Sequence, residues 1–158
     1  MTGKDLSFHV CGVETASLLA ELHGLGFEHT PERAWSIEEF NTLLAMPGVF
    51  GLVAMLGDDP AGFLLVRQVV DEAEILTITV RPDYRRQGLA GRLLGQLKAM
   101  LRDGGKTEKL FLEVREDNKA ARALYTRQGF EKIGLRENYY SGQNGGALDA
   151  ILMACTLS

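Results

Sequence analysis

Apolar residues alternate with polar ones at Leu6, Phe8 and Val10, a period of two that predicts a first strand. From Thr15 the period lengthens, and apolar residues at 18, 19, 22 and 25 predict an amphipathic helix over Thr15 to Leu25. The start of a second helix is marked by Ser36-Ile-Glu-Glu39, with Ser36 as cap and Glu39 at the third helical position. Phe40, Leu43 and Leu44 continue its apolar face, and Pro47-Gly48 ends it. Val49 to Leu56, Gly62 to Val70 and Ala73 to Val80 predict three strands of an antiparallel meander, separated by Gly57-Asp-Asp-Pro60 and Asp71-Glu72.

The second half changes the architecture. Leu89, Leu93, Leu97 and Met100 form one stripe of a helix from Leu89 to Arg102, stopped by Gly104-Gly105. Lys109 to Arg115 predicts a strand, Asp117 or Asn118 caps a short helix through Arg127, and Gly129 takes the C-terminal capping position. Glu131 to Tyr140 and Leu148 to Leu157 predict a last pair of strands across Ser141 to Gly146. A strand, helix, strand crossover among antiparallel pieces predicts an α/β (α+β) fold, a mixed, mostly antiparallel central sheet with one parallel crossover and about four flanking helices.

At 158 residues the chain fits one domain spanning 1–158. With 46% hydrophobic and 24% charged residues it has an ordinary globular composition, and its net charge of -4 gives no global attraction for nucleic acid. Met1 to His9 lacks the basic and apolar regions of a signal peptide, and no apolar run is long enough for a membrane span, so a cytoplasmic protein without membrane partners is expected. Cys11 and Cys155 have no metal or redox spacing and are expected as reduced, buried thiols; His9, His23 and His29 are scattered, and no metal is expected.

The most informative segment is Arg85-Arg86-Gln87-Gly88-Leu89-Ala90, which leaves a strand and opens a helix. Such a turn presents unpaired N–H groups at the positive end of the helix dipole, where a phosphate binds. Gly88 permits close backbone approach, and Arg85 and Arg86 add charge; the alternative is a helix-starting loop with solvated arginines. Neither G-x-x-x-x-G-K-[ST] nor G-x-G-x-x-G is present, which argues against an ordinary nucleotide site.

The spacing R-x-x-G-x-A, with Leu112-Glu-Val-Arg-Glu-Asp-Asn118, Ala121-Arg-Ala-Leu-Tyr125 and Gln128-Gly-Phe130, resembles the GNAT family of N-acetyltransferases over residues 74 to 130. The resemblance implies acetyl-coenzyme A as cosubstrate, its pyrophosphate on the turn from Arg85 through Gly91 and its pantetheine arm along Ile78, Thr79 and Val80 of a bulged strand, where a main-chain N–H can stabilise an oxyanion. Ala34-Trp35-Ser36, Asn138-Tyr139-Tyr140 and Asp149-Ala-Ile-Leu-Met153 resemble the branch that acetylates the N-terminal alanine of a bacterial ribosomal protein. The chain departs from that branch at Arg33-Ala34 and at Ser141, where proline is frequent, and has Ala90 where glycine is frequent.

Single residues carry two readings each. Glu113 interrupts the apolar strand Leu110 to Val114, which requires either an arginine partner or a raised pKa; the resemblance implies the catalytic base. Tyr125 is a packing aromatic or, by resemblance, the acid that protonates the leaving thiolate. Asn118 is a helix cap and, by resemblance, a cofactor ligand. Tyr139 and Tyr140 are edge-strand packing or a peptide-binding lip, and Trp35 the opposite wall or a staple residue. Asp71, Glu72 and Glu74 are solvated surface or an attractor for a basic substrate. The expected function is acetyl transfer to a protein N-terminal α-amine, a ribosomal protein being the expected acceptor, by a monomer or weak dimer. A small-molecule amine acceptor and a non-catalytic acyl-coenzyme A sensor are the alternatives.

Overall fold

The computed structural model describes residues 5–27, 33–141 and 147–157, and for residues 140 and 141 the backbone alone. In chain order the elements are β1 (Leu6–Cys11), α1 (Ala16–Gly26), α2 (Ile37–Leu44), β2 (Val49–Leu56), β3 (Asp59–Val69), β4 (Glu72–Val80), α3 (Leu89–Gly104), β5 (Lys109–Arg115), α4 (Lys119–Arg127), β6 (Glu131–Ser141) and β7 (Ala147–Thr156). Short 3-10 turns at Val13–Thr15 and Pro82–Tyr84 lead into α1 and into the basic turn. The strands form a seven-stranded sheet in the order β1-β2-β3-β4-β5-β7-β6. Every neighbouring pair is antiparallel except β4–β5, so the mixed sheet with one parallel crossover is as expected.

Local chemistry explains the element ends. Ser36 accepts from the Glu39 N–H while the Glu39 carboxylate accepts from the Ser36 N–H, a complete capping box. Asn118 caps α4 through the Ala121 N–H, and Gly129 follows that helix with φ of +93°, a conformation that costs an L side chain about 1–2 kcal/mol. The sheet buries two cores. Leu93, Leu94, Leu97 and Leu101 of α3 pack on one face together with Tyr125 of α4, and Leu19 and Leu22 of α1 with Phe40 and Leu44 of α2 cover the other. Each fully buried leucine contributes roughly 2 kcal/mol of transfer free energy.

Three expectations change. The α1 stripe consists of Leu19, Leu22, His23 and Gly26, and Leu25 is exposed; in α3, Leu101 rather than Met100 completes the buried row. β3 begins at Asp59, two residues before Ala61, because Ala61 is looped out where the register passes from Ala54↔Gly62 to Met55↔Pro60, and the bulge accommodates a proline inside the strand. Cys11 and Cys155 are free and buried, as expected.

Candidate active site

The site begins with a failure of strand pairing. β4 and β5 are joined only at Glu72↔Lys109, Ala73↔Leu110 and Glu74↔Phe111, after which neither strand has a ladder partner in the other. β4 also carries a bulge, because Leu65 faces Thr77 but Val66 faces Ile75, leaving Leu76 extra. One extra residue reverses the side-chain alternation. Ala73 and Ile75 face the α3 core before the bulge, Ile78 and Val80 face it afterwards, and Thr77 and Thr79 turn towards α1. The parted strands open a cleft whose β4 wall presents main-chain groups without partners on β5.

One half of the cleft, about 760 Å³, lies between β4, the turn Arg85–Gly88, the start of α3, and α4. Ile78, Thr79, Val80, Arg85, Arg86, Gly88, Leu89, Ala90, Gly91, Asn118 and Tyr125 line it, so all the expected cofactor positions except Gln87 meet here; Gln87 is exposed and outside the lining. Gly88 sits at the α3 N-cap with φ of +78° and no side chain caps the helix. The Arg92 N–H makes the first helical bond, to Gly88, which leaves the amides of Leu89, Ala90 and Gly91 ahead of it. Leu89 offers the cleft its main chain alone, for its side chain is buried in the core. Gly91 lies close against α4, where an added Cβ would meet Gln128 Nε2 at 3.3 Å.

Arg85 has a role beyond charge. Its Nη2 donates to the Gly26 carbonyl at 2.8 Å, placing a cation on the C-terminal end of α1 and tying that helix to the turn. Gly26 makes the junction possible, since a Cβ there would lie 1.7 Å from Thr79 Oγ1. On the opposite flank Asp59 accepts from both Arg81 and Tyr84 and so pins the 3-10 turn that precedes Arg85. Arg86, held at φ of +65°, is a strained non-glycine residue in the same turn. Four arginines, Arg85, Arg86, Arg115 and Arg127, face one carboxylate, Asp117, so this half is basic. Its uncapped helix start, left-handed glycine and positive charge fit a diphosphate.

The other half, about 840 Å³, is acidic: Glu38, Glu39, Glu74 and Glu113 against Arg33 and Arg136. Phe27 borders both halves. Trp35 is a wall of this groove, stacked on His23 with ring centroids 4.9 Å apart, and it is also the staple of α2, packing on Phe40 with centroids 5.6 Å apart across the Ser36 cap. Tyr139 lies at the rim, half exposed, with the Arg136 guanidinium 4.7 Å from its ring centroid. The Tyr140 side chain and the loop 142–146 lie outside the described residues. Glu113 faces the groove, and its Oε1 is 3.3 Å from Arg136 Nε, so the arginine partner that its setting requires is present. Tyr125 is buried in the other half, edge-on to Phe130.

His23, read in the sequence as one of three scattered histidines, is the joint between the halves. The Trp35 N–H donates to its Nδ1 at 3.0 Å, so the ring proton is on Nε2, which donates to Thr77 Oγ1 at 3.1 Å. Burial pushes its pKa down to about 4, and the ring is neutral at physiological pH. Burial and the charge of Glu113 raise the pKa of Glu74, while the hydrogen-bonded Arg33 holds Glu39 down at about 2. Among the described residues no three potential ligands converge on a metal site, and no helix is long and apolar enough to cross a membrane.

Residues 17–130 match the model of the Acetyltransferase (GNAT) family, and the chain belongs to that family. It is 34% identical over 151 residues to ribosomal protein bS18-alanine N-acetyltransferase of Haemophilus influenzae, an alignment that covers 89% of this chain and 99% of the relative. The crystal structure of the ribosomal-protein-S18-alanine N-acetyltransferase from Escherichia coli superposes with a TM-score of 0.88 at 31% identity, covering 98% of this chain and 95% of that one. Arabidopsis thaliana NAA60 in complex with acetyl-CoA shares the fold, with a TM-score of 0.80 at 18% identity over 96% of this chain and 98% of that one. Acetyl-coenzyme A is the acetyl donor of the family, and the basic half of the cleft fits it.

Proposed function

We propose that this protein acetylates the N-terminal α-amine of a protein, an N-terminal alanine of a ribosomal protein being the acceptor, in the cytoplasm and as a single domain. The observation that carries this reading is the continuity of the cleft: a basic half fitted to a diphosphate meets, at Phe27 and β4, an acidic groove fitted to a cation. The near full-length relative named for alanine N-acetylation supports the acceptor.

In this mechanism acetyl-coenzyme A supplies a thioester carbonyl and a thiolate leaving group. Glu113, on the groove face of β5, takes the proton of the acceptor ammonium directly or through water. Main-chain N–H groups of β4 near Val80, unpaired on the side facing β5, hold the charge that develops on the carbonyl oxygen. Tyr125 protonates the thiolate, its phenol donating the proton as charge develops on the departing sulfur. Asn118 caps α4 and lines the same half of the cleft. An α-amine with pKa near 8 is on the order of one-fifth neutral at pH 7.4, against on the order of one in a thousand for lysine, a difference of roughly 3 kcal/mol that favours an N-terminus where one carboxylate is the base.

The test is release of coenzyme A thiol with a short peptide bearing a free N-terminal alanine, beside an N-terminally blocked twin containing lysine. Turnover of the free peptide alone is the expected result. Turnover of neither peptide, with acetyl-coenzyme A still binding, would replace the protein acceptor by a small amine.

A further inference from the structure

Glu74 stands where β4 and β5 part. It is the last residue of β4 with a partner on β5, opposite Phe111, and Glu113 follows two residues beyond Phe111 on the same face. Both carboxylates line the acidic groove. Their surroundings differ, since Glu113 is ion-paired with Arg136 and Glu39 with Arg33, whereas Glu74 has no ion pair among the described residues. Arg67 and Arg136 favour its charge from a distance, and burial together with Glu113 opposes it more strongly.

An N-terminal acceptor reaches this groove mostly as an ammonium ion, which loses hydration as it approaches the thioester and needs a carboxylate not already matched by a guanidinium. Arg136 balances Glu113 and Arg33 balances Glu39, which leaves Glu38 on α2 and Glu74 on β4; of these two Glu74 stands at the parting of β4 and β5, on the same face as Glu113. We propose that Glu74 is the counter-ion of the acceptor ammonium, a binding residue that holds the incoming N-terminus beside Glu113. The assignment rests on the reading of the acceptor as a protein N-terminus.

The test uses the full chain with saturating acetyl-coenzyme A, the free N-terminal alanine peptide as acceptor, and as competitive inhibitor the same peptide with a hydroxyl in place of the α-amine. The groove walls partly desolvate the Glu74 carboxyl while the residue stays accessible to solvent, so the isosteric Glu74→Gln does not threaten the fold. It is expected to raise the acceptor KM about tenfold, to leave kcat within about twofold, and to leave the KM for acetyl-coenzyme A unchanged. The inhibition constant of the uncharged hydroxyl peptide should not move, and Glu74→Asp should recover part of the lost affinity. If the wild-type protein turns over the peptide and Glu74→Gln leaves its KM unchanged, the inference is overturned and the N-terminal acceptor stands. If the hydroxyl peptide weakens as much as the amine, Glu74 shapes the groove instead of pairing with charge, and the inference is again overturned. A wild-type protein inactive on the free peptide removes the N-terminal reading and this inference together.

Discussion

The two halves of the cleft have nearly equal volumes and opposite charge, and they are built by different means. The basic half relies on backbone: a left-handed Gly88, uncapped amides at the start of α3, and a β4 edge without a partner on β5. The acidic half relies on side chains: Trp35 on His23, Arg33 on Glu39, and Arg136 between Glu113 and Tyr139. A backbone cradle recognises a diphosphate, a group common to many substrates, whereas a wall of side chains is the part in which acceptor preference resides. Substitutions should therefore separate, one set acting on donor binding and the other on the acceptor and its proton.

The sharpest separation is expected at Glu113. Glu113→Gln should lower kcat on the order of 10³-fold and leave the acetyl-coenzyme A dissociation constant unchanged, measured by single-turnover kinetics and calorimetry. An unchanged rate would remove Glu113 as base.

The joint between the halves should respond to acid. The folded pKa of His23, about 4, lies below the ordinary 6.5, so the unfolded chain binds the extra proton between those values. Stability from this residue is complete above pH 6.5 and falls as pH descends towards 4, by about 3 kcal/mol at most. Denaturant midpoints across that range should decline in the wild type and decline less in His23→Gln; equal declines would place the acid sensitivity elsewhere.

Tyr125→Phe is expected to lower kcat on the order of 10²-fold while sparing the acceptor KM, and a thiol leaving group of lower pKa should restore part of the rate. The smallest effect belongs to the backbone cradle. An added Cβ at Gly88 meets nothing within 4 Å, so Gly88→Ala introduces conformational strain alone, about 1 kcal/mol, read as roughly fivefold weaker acetyl-coenzyme A binding with the acceptor KM unchanged.

How far the sequence foretells this arrangement depends on the distance over which each feature is determined. The Ser36–Glu39 capping box, the Asn118 cap, the left-handed Gly129 and the turn at Gly88 are local, and they are legible in a few consecutive residues. The bulge at Leu76 is not, because Ile75-Leu76-Thr77 reads as ordinary strand and only its register against β3 reveals the extra residue. His23 finds its partners 12 and 54 residues away, and Arg85 reaches back 59 residues to Gly26, so neither role leaves a mark in local periodicity. The interruption of an apolar strand by Glu113 is legible, but that Arg136 of β6 answers it follows from β7 lying between the two strands. The 3-10 turn at Pro82–Tyr84 had a signal in its proline, yet its anchoring to Asp59 is a tertiary contact.

Trp35 is the chain's single tryptophan, and it lies against a neutral imidazole on the wall of the acidic groove. Its emission is therefore an intrinsic optical label of one location. Light emitted by this protein on excitation of indole reports on the acidic side of the cleft alone, with no background from a second tryptophan. A protonated imidazole quenches indole more strongly than a neutral one, so the same signal also records the ionisation of His23, and the chain reports spectroscopically on its own junction without an attached dye.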